Sequence, residues 1–410
     1  MEIRPIVSAL LRNKMAPLLV AIQIALSLAI LSNALYIVNL RIDAAHRPSG
    51  LADEASTFYM RISSNQTMSL VEQNDNQKRL LQAITSVAGV VSAADVSQMP
   101  MSQSGWDSSI ALDRKQTQSS VEASMYQSSG SLVNGFGLKL LAGRDFNSAD
   151  VIEQDPDSDL KIPENVIVTQ TLAQDLYPNE KNYIGKSFFW GTGPDAKESH
   201  IVGVVERLQT SSAQISAEGE YSMLLPIRTP TSYPMFVIRA EPGQRDRVIS
   251  EVEAAVRKAD VFPLRINTKT TEKDRQIRYG NEMALVWMLV VVSTLLLLIT
   301  ASGIVGMTSL WVSQRRKQIG VRRALGARKI DILRYFITEN LIISCMGVVS
   351  GSLLAIGLNQ LLVSQLELTK LPFSYVFSGA VLFLLLGVGA AYAPSWRAAS
   401  ISPAVATRST

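Results

Sequence analysis

Four long apolar stretches interrupt an otherwise polar chain, and they form the strongest pattern in this sequence. Each stretch lacks Asp, Glu, Lys, Arg and His over 26 to 32 consecutive residues. A helix needs about 20 apolar residues to cross a hydrocarbon core of about 30 Å. A buried helix of a soluble protein rarely runs so far without a charge, so the pattern predicts transmembrane helices. We place them at 15–40, 283–312, 339–364 and 372–396.

The segment between the first two stretches, residues 41–270, has the pattern of a separate α+β domain. Three segments are rich in β-branched and aromatic residues and predict strands: STFYMRI, GVVSAADVS and HIVGVVERL. Between them, NQKRLLQAITSV predicts a helix, because its apolar residues recur at helical spacing: Leu80, Leu81, Ile84 and Val87. This mixed order predicts two lobes and a loose polar region at 146–163. The predicted fold is membrane α-helical, with four transmembrane helices and a large α+β extracytoplasmic domain.

Two further helical segments adjoin the membrane stretches. The charged run at 271–282 predicts a stalk helix that continues into the second membrane helix, and Thr271 with Asp274 has capping-box spacing. Residues 1–14 predict a short amphipathic helix in the cytoplasmic interface. A cleaved signal peptide is the alternative for the first stretch, but the apolar run continues through Leu40, which favours a retained helix.

Basic residues indicate how the chain is oriented in the membrane. The loop at 313–338 contains eight Lys and Arg residues and a single acid, Asp331, before the third helix begins. Because short cytoplasmic loops carry excess positive charge, this loop, the amino terminus and the tail at 397–410 are predicted to be cytoplasmic. The domain and the short loop at 365–371 are then outside. The net charge of +4 lies largely beside the membrane, so we expect the lipid bilayer and no nucleic acid as a partner.

The sequence offers little catalytic chemistry. Gly185, Lys186 and Ser187 resemble the end of a phosphate-binding loop, but Glu180 occupies its first glycine position. Two distant histidines, His46 and His200, and one cysteine cannot build a zinc site. We therefore predict that the chain is not an enzyme and holds no cofactor or metal of its own.

The most informative segment is the loop, SQRRKQIGVRRALGARKIDILRYFITENLIIS. Its charges alternate with apolar residues, so a short helix would present an apolar ridge with a basic flank. Such a ridge docks into a groove on a partner; a helix lying on anionic lipid is the alternative. The membrane stretches also carry small residues, which indicate close packing between helices of one chain or against a second protomer: Ala21, Ala25, Ala29, Gly347 and Gly351.

The loop resembles the motif of MacB/FtsX-type ABC permeases, R-R-x-E-I-G-x-R-R-A-x-G-A. Four further segments are similar to the family's periplasmic domain and follow in the same order: GFGLKLLAGRDF, VIVTQTLAQDLYP, IGKSFF and HIVGVVERL. The family's ATPase-docking segment maps onto Gln318, Ile319, Gly320, Val321, Arg322, Arg323, Ala324, Leu325, Gly326 and Ala327. The usual acid before Ile-Gly is Gln318 here, which puts a salt bridge at that position in doubt.

The resemblance implies an inner-membrane permease subunit of a MacB-like efflux system in a Gram-negative bacterium. It would act as a dimer, with an identical or paralogous protomer, and relay motion from a cytoplasmic ATPase that binds ATP and Mg²⁺. Because the chain starts almost directly with a membrane helix, we expect that ATPase to be a separate polypeptide. A periplasmic adaptor and an outer-membrane channel would complete the route. The alternatives are activation of a periplasmic cell-wall hydrolase, lipoprotein release, and a sensor without an ATPase.

Overall fold

The computed structural model describes residues 14–158, 161–260, 263–366 and 370–400. The helices are α1 (Met15–His46), α2 (Leu70–Thr85), α3 (Leu132–Phe136), α4 (Gln170–Leu176), α5 (Arg245–Ala259), α6 (Thr271–Gln314), α7 (Arg316–Ala324), α8 (Lys329–Leu366) and α9 (Phe373–Ala399). The strands are β1 (Thr57–Ser64), β2 (Val90–Asp95), β3 (Asp107–Ala111), β4 (Val121–Gln127), β5 (Leu140–Gly143), β6 (Ile152–Glu153), β7 (Asn165–Thr169), β8 (Ser187–Trp190), β9 (Lys197–Val205), β10 (Ser222–Leu225), β11 (Ile227–Arg228), β12 (Met235–Ala240) and β13 (Leu264–Thr270).

The chain divides into two compact units, one of membrane helices and one α+β domain between Asp43 and Glu282. This confirms the predicted fold class, because α1, α6, α8 and α9 are each long and apolar enough to cross a membrane. Helix α6 is continuous from Thr271 to Gln314 and so includes both the charged run and the second apolar stretch. The amphipathic helix predicted at 1–14 and the tail beyond Ser400 lie outside the described residues, apart from Lys14.

The membrane unit has its own core, to which all four long helices contribute. Buried side chains such as Ile24, Ile304, Ile343 and Phe383 meet in one cluster. Polar side chains also join the helices: Ser27 Oγ lies 2.9 Å from Thr300 Oγ1, within hydrogen-bond distance. In a bilayer such contacts satisfy hydroxyl groups that would otherwise lie unpaired in hydrocarbon.

The α+β domain contains two principal sheets that share a core. The four-stranded sheet has the order β13-β1-β12-β2, and all its neighbouring strands are antiparallel. The second sheet has the order β5-β9-β7-β10-β4-β3-β8, and because β8 also pairs with β9, six of its strands close into a ring. Strand alternation gives the four-stranded sheet two apolar faces. One packs on α2 and α5, and the other packs on the second sheet through residues such as Tyr59, Val237 and Tyr126.

Two local expectations for this domain are wrong. Thr271 and Asp274 do not form a capping box: the Thr270 hydroxyl accepts from the Lys273 amide, and Asp274 is buried, where it accepts a 2.7 Å hydrogen bond from Tyr59. The region at 146–163 is not loose over its described part, because β6 pairs with β11 and Asp150 accepts several hydrogen bonds. In both places a tertiary contact with a residue distant in sequence decides the local structure.

Candidate partner-docking site

The basic loop (residues 313–338) consists of α7, a tight turn and the first turns of α8. Helix α7 ends because Gly326 adopts φ +99°, a left-handed conformation that costs glycine little. The Gly326 amide donates to the Arg323 carbonyl and the Ala327 amide to the Arg322 carbonyl. Asp331 then accepts a 3.0 Å hydrogen bond from the Arg328 amide at the start of α8. The turn therefore fixes α7 as a separate short helix.

The inner side of α7 is attached to the membrane unit. Ile319 is buried in a small cluster with Ile332, Phe336 and Ala398, which come from α8 and α9. Gly320 beside it is also buried. These contacts anchor α7 through apolar packing, so two of the ten predicted docking residues are turned away from any partner.

Two arginines hold the ends of α7 through polar contacts. Arg315 Nη1 lies 2.9 and 2.8 Å from the two carboxylate oxygens of Glu339, which is fully buried. Arg323 Nη1 donates a 3.1 Å hydrogen bond to the Ala399 carbonyl at the end of α9. A buried carboxylate needs such a partner, since an unpaired one would cost several kcal/mol. Arg323 therefore has a structural contact as well as its predicted docking role.

The outer side of α7 presents apolar side chains to the surroundings. Val321 is 53% exposed and Leu325 is 84% exposed, one turn apart on the helix. Gln318 and Ala324 are exposed between the basic residues. Arg322 is exposed too, with its guanidinium 5.1 Å from the centre of the Tyr335 ring. Among the described residues, Arg315 is the one basic side chain of the loop with an acid within 4 Å.

The structure thus separates the predicted docking residues into two groups. Ile319 packs on α8 and α9, and Arg323 bonds the end of α9. Gly320 is buried, Ala327 is half-buried, and Gly326 makes the turn. The group left to face a partner comprises Gln318, Val321, Arg322, Ala324 and Leu325. Sequence reasoning missed Glu339 as the partner of Arg315. Its signal was present, because Glu339 is the acid that directly precedes the third apolar run.

The small residues lie where two membrane helices approach each other. A Cβ atom added at Gly347 would lie 2.8 Å from Ile24 Cβ, and one added at Gly351 would lie 2.9 Å from Ala25 Cα. Ala21 and Ala25 are buried in the same unit, and Ala29 packs with Ala355 and Val376. This geometry is that of close packing between α1 and α8 of one chain.

Among the described residues of the α+β domain, no group of His, Cys, Asp and Glu side chains could hold a metal ion. Lys186, from the triplet that resembles a phosphate-binding loop, forms a 2.6 Å ion pair with Glu180. Gly185 lies in a left-handed turn, with open space where a Cβ would be. This segment is a surface turn closed by its own ion pair.

Comparisons with known proteins match both units. The model of the MacB-like periplasmic core domain matches residues 25–255, and that of the FtsX-like permease C-terminal region matches residues 290–403. These matches confirm the resemblance found in the sequence.

Individual relatives match about two thirds of the chain or less. The macrolide export ATP-binding/permease protein MacB of Agrobacterium fabrum is 26% identical over 65% of this chain and 40% of its own length. The protein of the same name from Bradyrhizobium diazoefficiens is 28% identical over 66% of this chain and 41% of its own length. The pyoverdine export ATP-binding/permease protein PvdT of Pseudomonas syringae is 31% identical over 33% of this chain and 20% of its own length. The chain therefore spans about 40% of the length of the curated MacB relatives it matches.

Proposed function

Because the chain belongs to the MacB/FtsX-type ABC permeases, we propose that it is the membrane subunit of an ATP-driven export system. Its relatives are named as ATP-binding/permease proteins, which implies an ABC transporter that works with an ATPase. Their names also support export over hydrolase activation, lipoprotein release or sensing. The ATPase binds ATP and Mg²⁺, the permease chain holds neither, and the α+β domain lies in the periplasm of a Gram-negative bacterium.

The observation that carries this proposal is the outer side of α7. Its exposed apolar pair, Val321 and Leu325, lies among the basic side chains of the loop, of which Arg315 is the one with an acid within 4 Å among the described residues. A lipid-bound helix would also combine these features, but the ridge is only two residues long, which suits a groove on a protein. The ATPase groove should therefore be apolar with an acidic rim.

In the mechanism we propose, ATP binding brings two ATPase subunits together, and each pulls on one α7. That displacement passes to α8 through the inner contacts of α7, which are the packing of Ile319 and the Arg315–Glu339 ion pair. Helix α6 is continuous from the membrane stretch to Thr271, so it can transmit a displacement along its axis. A second protomer, a periplasmic adaptor and an outer-membrane channel complete the proposed route.

Leu325→Asp tests the docking surface without touching the inner contacts of α7. A charge in the partner's apolar groove should weaken ATPase association about tenfold or more and remove the stimulation of ATP turnover by the full chain. Association is measured by pull-down and turnover by phosphate release, in nanodiscs. Leu325→Met is the matched control and should retain both. Unchanged association of Leu325→Asp, with unaltered thermal unfolding, would contradict the docking assignment.

A further inference from the structure

A cleft of about 460 Å³ opens at the junction of the two sheets of the α+β domain. The four-stranded sheet contributes Arg61 and Met235 to its wall, and the second sheet contributes Met125 and Gln127. Cavities of several hundred Å³ with a mainly apolar lining and a few polar groups are typical of small-molecule sites. The two sheets pack closely through their shared core elsewhere, so the cleft is a local separation.

Two large aromatic side chains converge on this cleft and remain exposed. Trp106, just before β3, is 73% exposed, and Tyr233, just before β12, is 62% exposed. Single exposed aromatic residues are common on protein surfaces, but two that line one cavity from different sheets form an uncovered apolar surface. Such rings stack on planar apolar ligands with little loss of side-chain entropy.

The main chain of both aromatic residues is held in place. The Trp106 carbonyl accepts a 2.9 Å hydrogen bond from the Met125 amide, and the Tyr233 amide donates to the Thr231 hydroxyl. The segment that leads to Trp106 contains Met101 and Gln103 with φ of 63° and 56°. Such left-handed conformations are unfavourable for these residues and persist where the surroundings impose them, often at binding sites. The backbone that carries both aromatic side chains is therefore held by hydrogen bonds.

The charges in the cleft favour an anion. Among the described lining residues, Arg61 and Asp95 are the two charged side chains. The Asp95 carboxylate already accepts hydrogen bonds from Ser128 and Ser129, including a 2.9 Å bond from the Ser129 amide. Among the described residues, the Arg61 guanidinium makes one weak hydrogen bond, 3.9 Å to Met235 Sδ, and no ion pair. Two strand spacings, about 10 Å, separate the backbones of Arg61 and Asp95. Asp95 is held by Ser128 and Ser129, so we assign Arg61 as the group that meets an anion.

We propose that this cleft binds an amphipathic small molecule with a planar aromatic body and one anionic group. The rings of Trp106 and Tyr233 contact its aromatic body, and Arg61 pairs with its anion. Assigning this molecule as exported substrate rests on the function proposed above. The site itself stands on the cleft geometry and needs neither the ATPase nor ATP.

Naphthalenesulfonate is a suitable probe, with neutral naphthalenemethanol as its comparison. Calorimetry with the full chain in nanodiscs, corrected for empty nanodiscs, should show saturable sulfonate binding. Arg61→Gln should weaken that binding about tenfold, because a charge-assisted hydrogen bond is lost, and should leave naphthalenemethanol binding unchanged. Trp106→Ala should weaken binding of both probes about tenfold. Arg265→Gln, an exposed arginine on β13 outside the cleft lining, is the matched control and should bind like wild type.

Three results would overturn the proposal: no saturable binding, equal sulfonate affinity in wild type and Arg61→Gln, or wild-type affinity in Trp106→Ala. Tyr233→Ala provides an independent test of the aromatic wall if Trp106→Ala fails to fold. The assay contains no ATPase, so its failure is distinguishable from failure of the docking proposal. If the wild-type chain stimulates ATP turnover but does not bind naphthalenesulfonate, this site alone is rejected.

Discussion

Asp150 shows how one carboxylate can order a segment whose sequence looks featureless. It accepts bonds of 2.6 and 3.0 Å from Arg144, 2.8 Å from the Asn147 amide and 2.7 Å from Asn165. The Arg144 guanidinium holds the pKa of this carboxyl well below its usual range, against the opposing effect of burial. The ionised form is therefore the one that the folded domain stabilises.

Asp150→Asn should lower the stability of the domain by about 1–3 kcal/mol at neutral pH, because the amide replaces a charged acceptor of several hydrogen bonds. A carboxyl with a depressed folded-state pKa contributes stability above its unfolded pKa of about 3.9 and loses it as pH falls towards the folded pKa. The difference between variant and wild type should therefore shrink below about pH 4. Thermal unfolding of the full chain between pH 7 and pH 3 measures it.

Asp246→Asn is the control for that experiment. Asp246 also pairs with an arginine, Arg245 at 3.1 Å, but its side chain is 86% exposed. Exposed ion pairs contribute little, so this variant should unfold like wild type at every pH. If Asp246→Asn and Asp150→Asn behave alike, the hydrogen-bond network around Asp150 does not stabilise the domain.

At the scale of elements, long periodic segments were predictable and short or serine-rich ones were not. The strand predicted from STFYMRI is β1, and the helix predicted from NQKRLLQAITSV is the second half of α2. By contrast, β3 (DSSIA) and β4 (VEASMYQ) have too few apolar residues to signal strands. Their pairing is fixed by neighbours distant in sequence, as is the closure of the ring through β8 and β9.

The sequence predicted a basic amphipathic loop, but it did not predict which side of that loop is buried. In the structure Ile319 is buried and Leu325 is 84% exposed. Six residues of a helix rotate through about 600°, so these two side chains point about 120° apart, and one packs inward while the other faces outward. Which side is covered depends on contacts of Ile319 with α8 and α9, which the local pattern does not contain.

The approach of α1 to α8 is an element-scale feature that one pair of glycine substitutions can test. A side chain at Gly351 would meet the Ala25 backbone at 2.9 Å, whereas Gly357, on the same helix, has nothing within 4 Å. Gly351→Val should therefore destabilise the membrane unit by about 1–3 kcal/mol through overpacking. Gly357→Val should change the midpoint of thermal unfolding in detergent little. Equal effects of the two variants would show that the close approach is unimportant.

At the scale of the whole molecule, charge and apolarity together predict a topology. Four membrane helices leave the α+β domain and the basic loop on opposite sides if each helix crosses once. The loop contains eight basic residues and one acid, which favours the cytoplasmic side for it. The function we propose depends on this arrangement, because the ATPase and the α+β domain must lie in different compartments.

Cysteine labelling tests the topology directly, since the chain contains one cysteine, Cys345, which can be replaced by alanine. In that background Val71→Cys places a thiol on exposed α2, and Lys317→Cys places one on exposed α7. A membrane-impermeant maleimide should label Val71→Cys in intact spheroplasts and leave Lys317→Cys unmodified until the cells are lysed. The Cys345→Ala background without a new cysteine gives the baseline. Labelling of Lys317→Cys in intact spheroplasts would show that the orientation is the reverse of the predicted one. It would also exclude α7 as the docking site of a cytoplasmic ATPase.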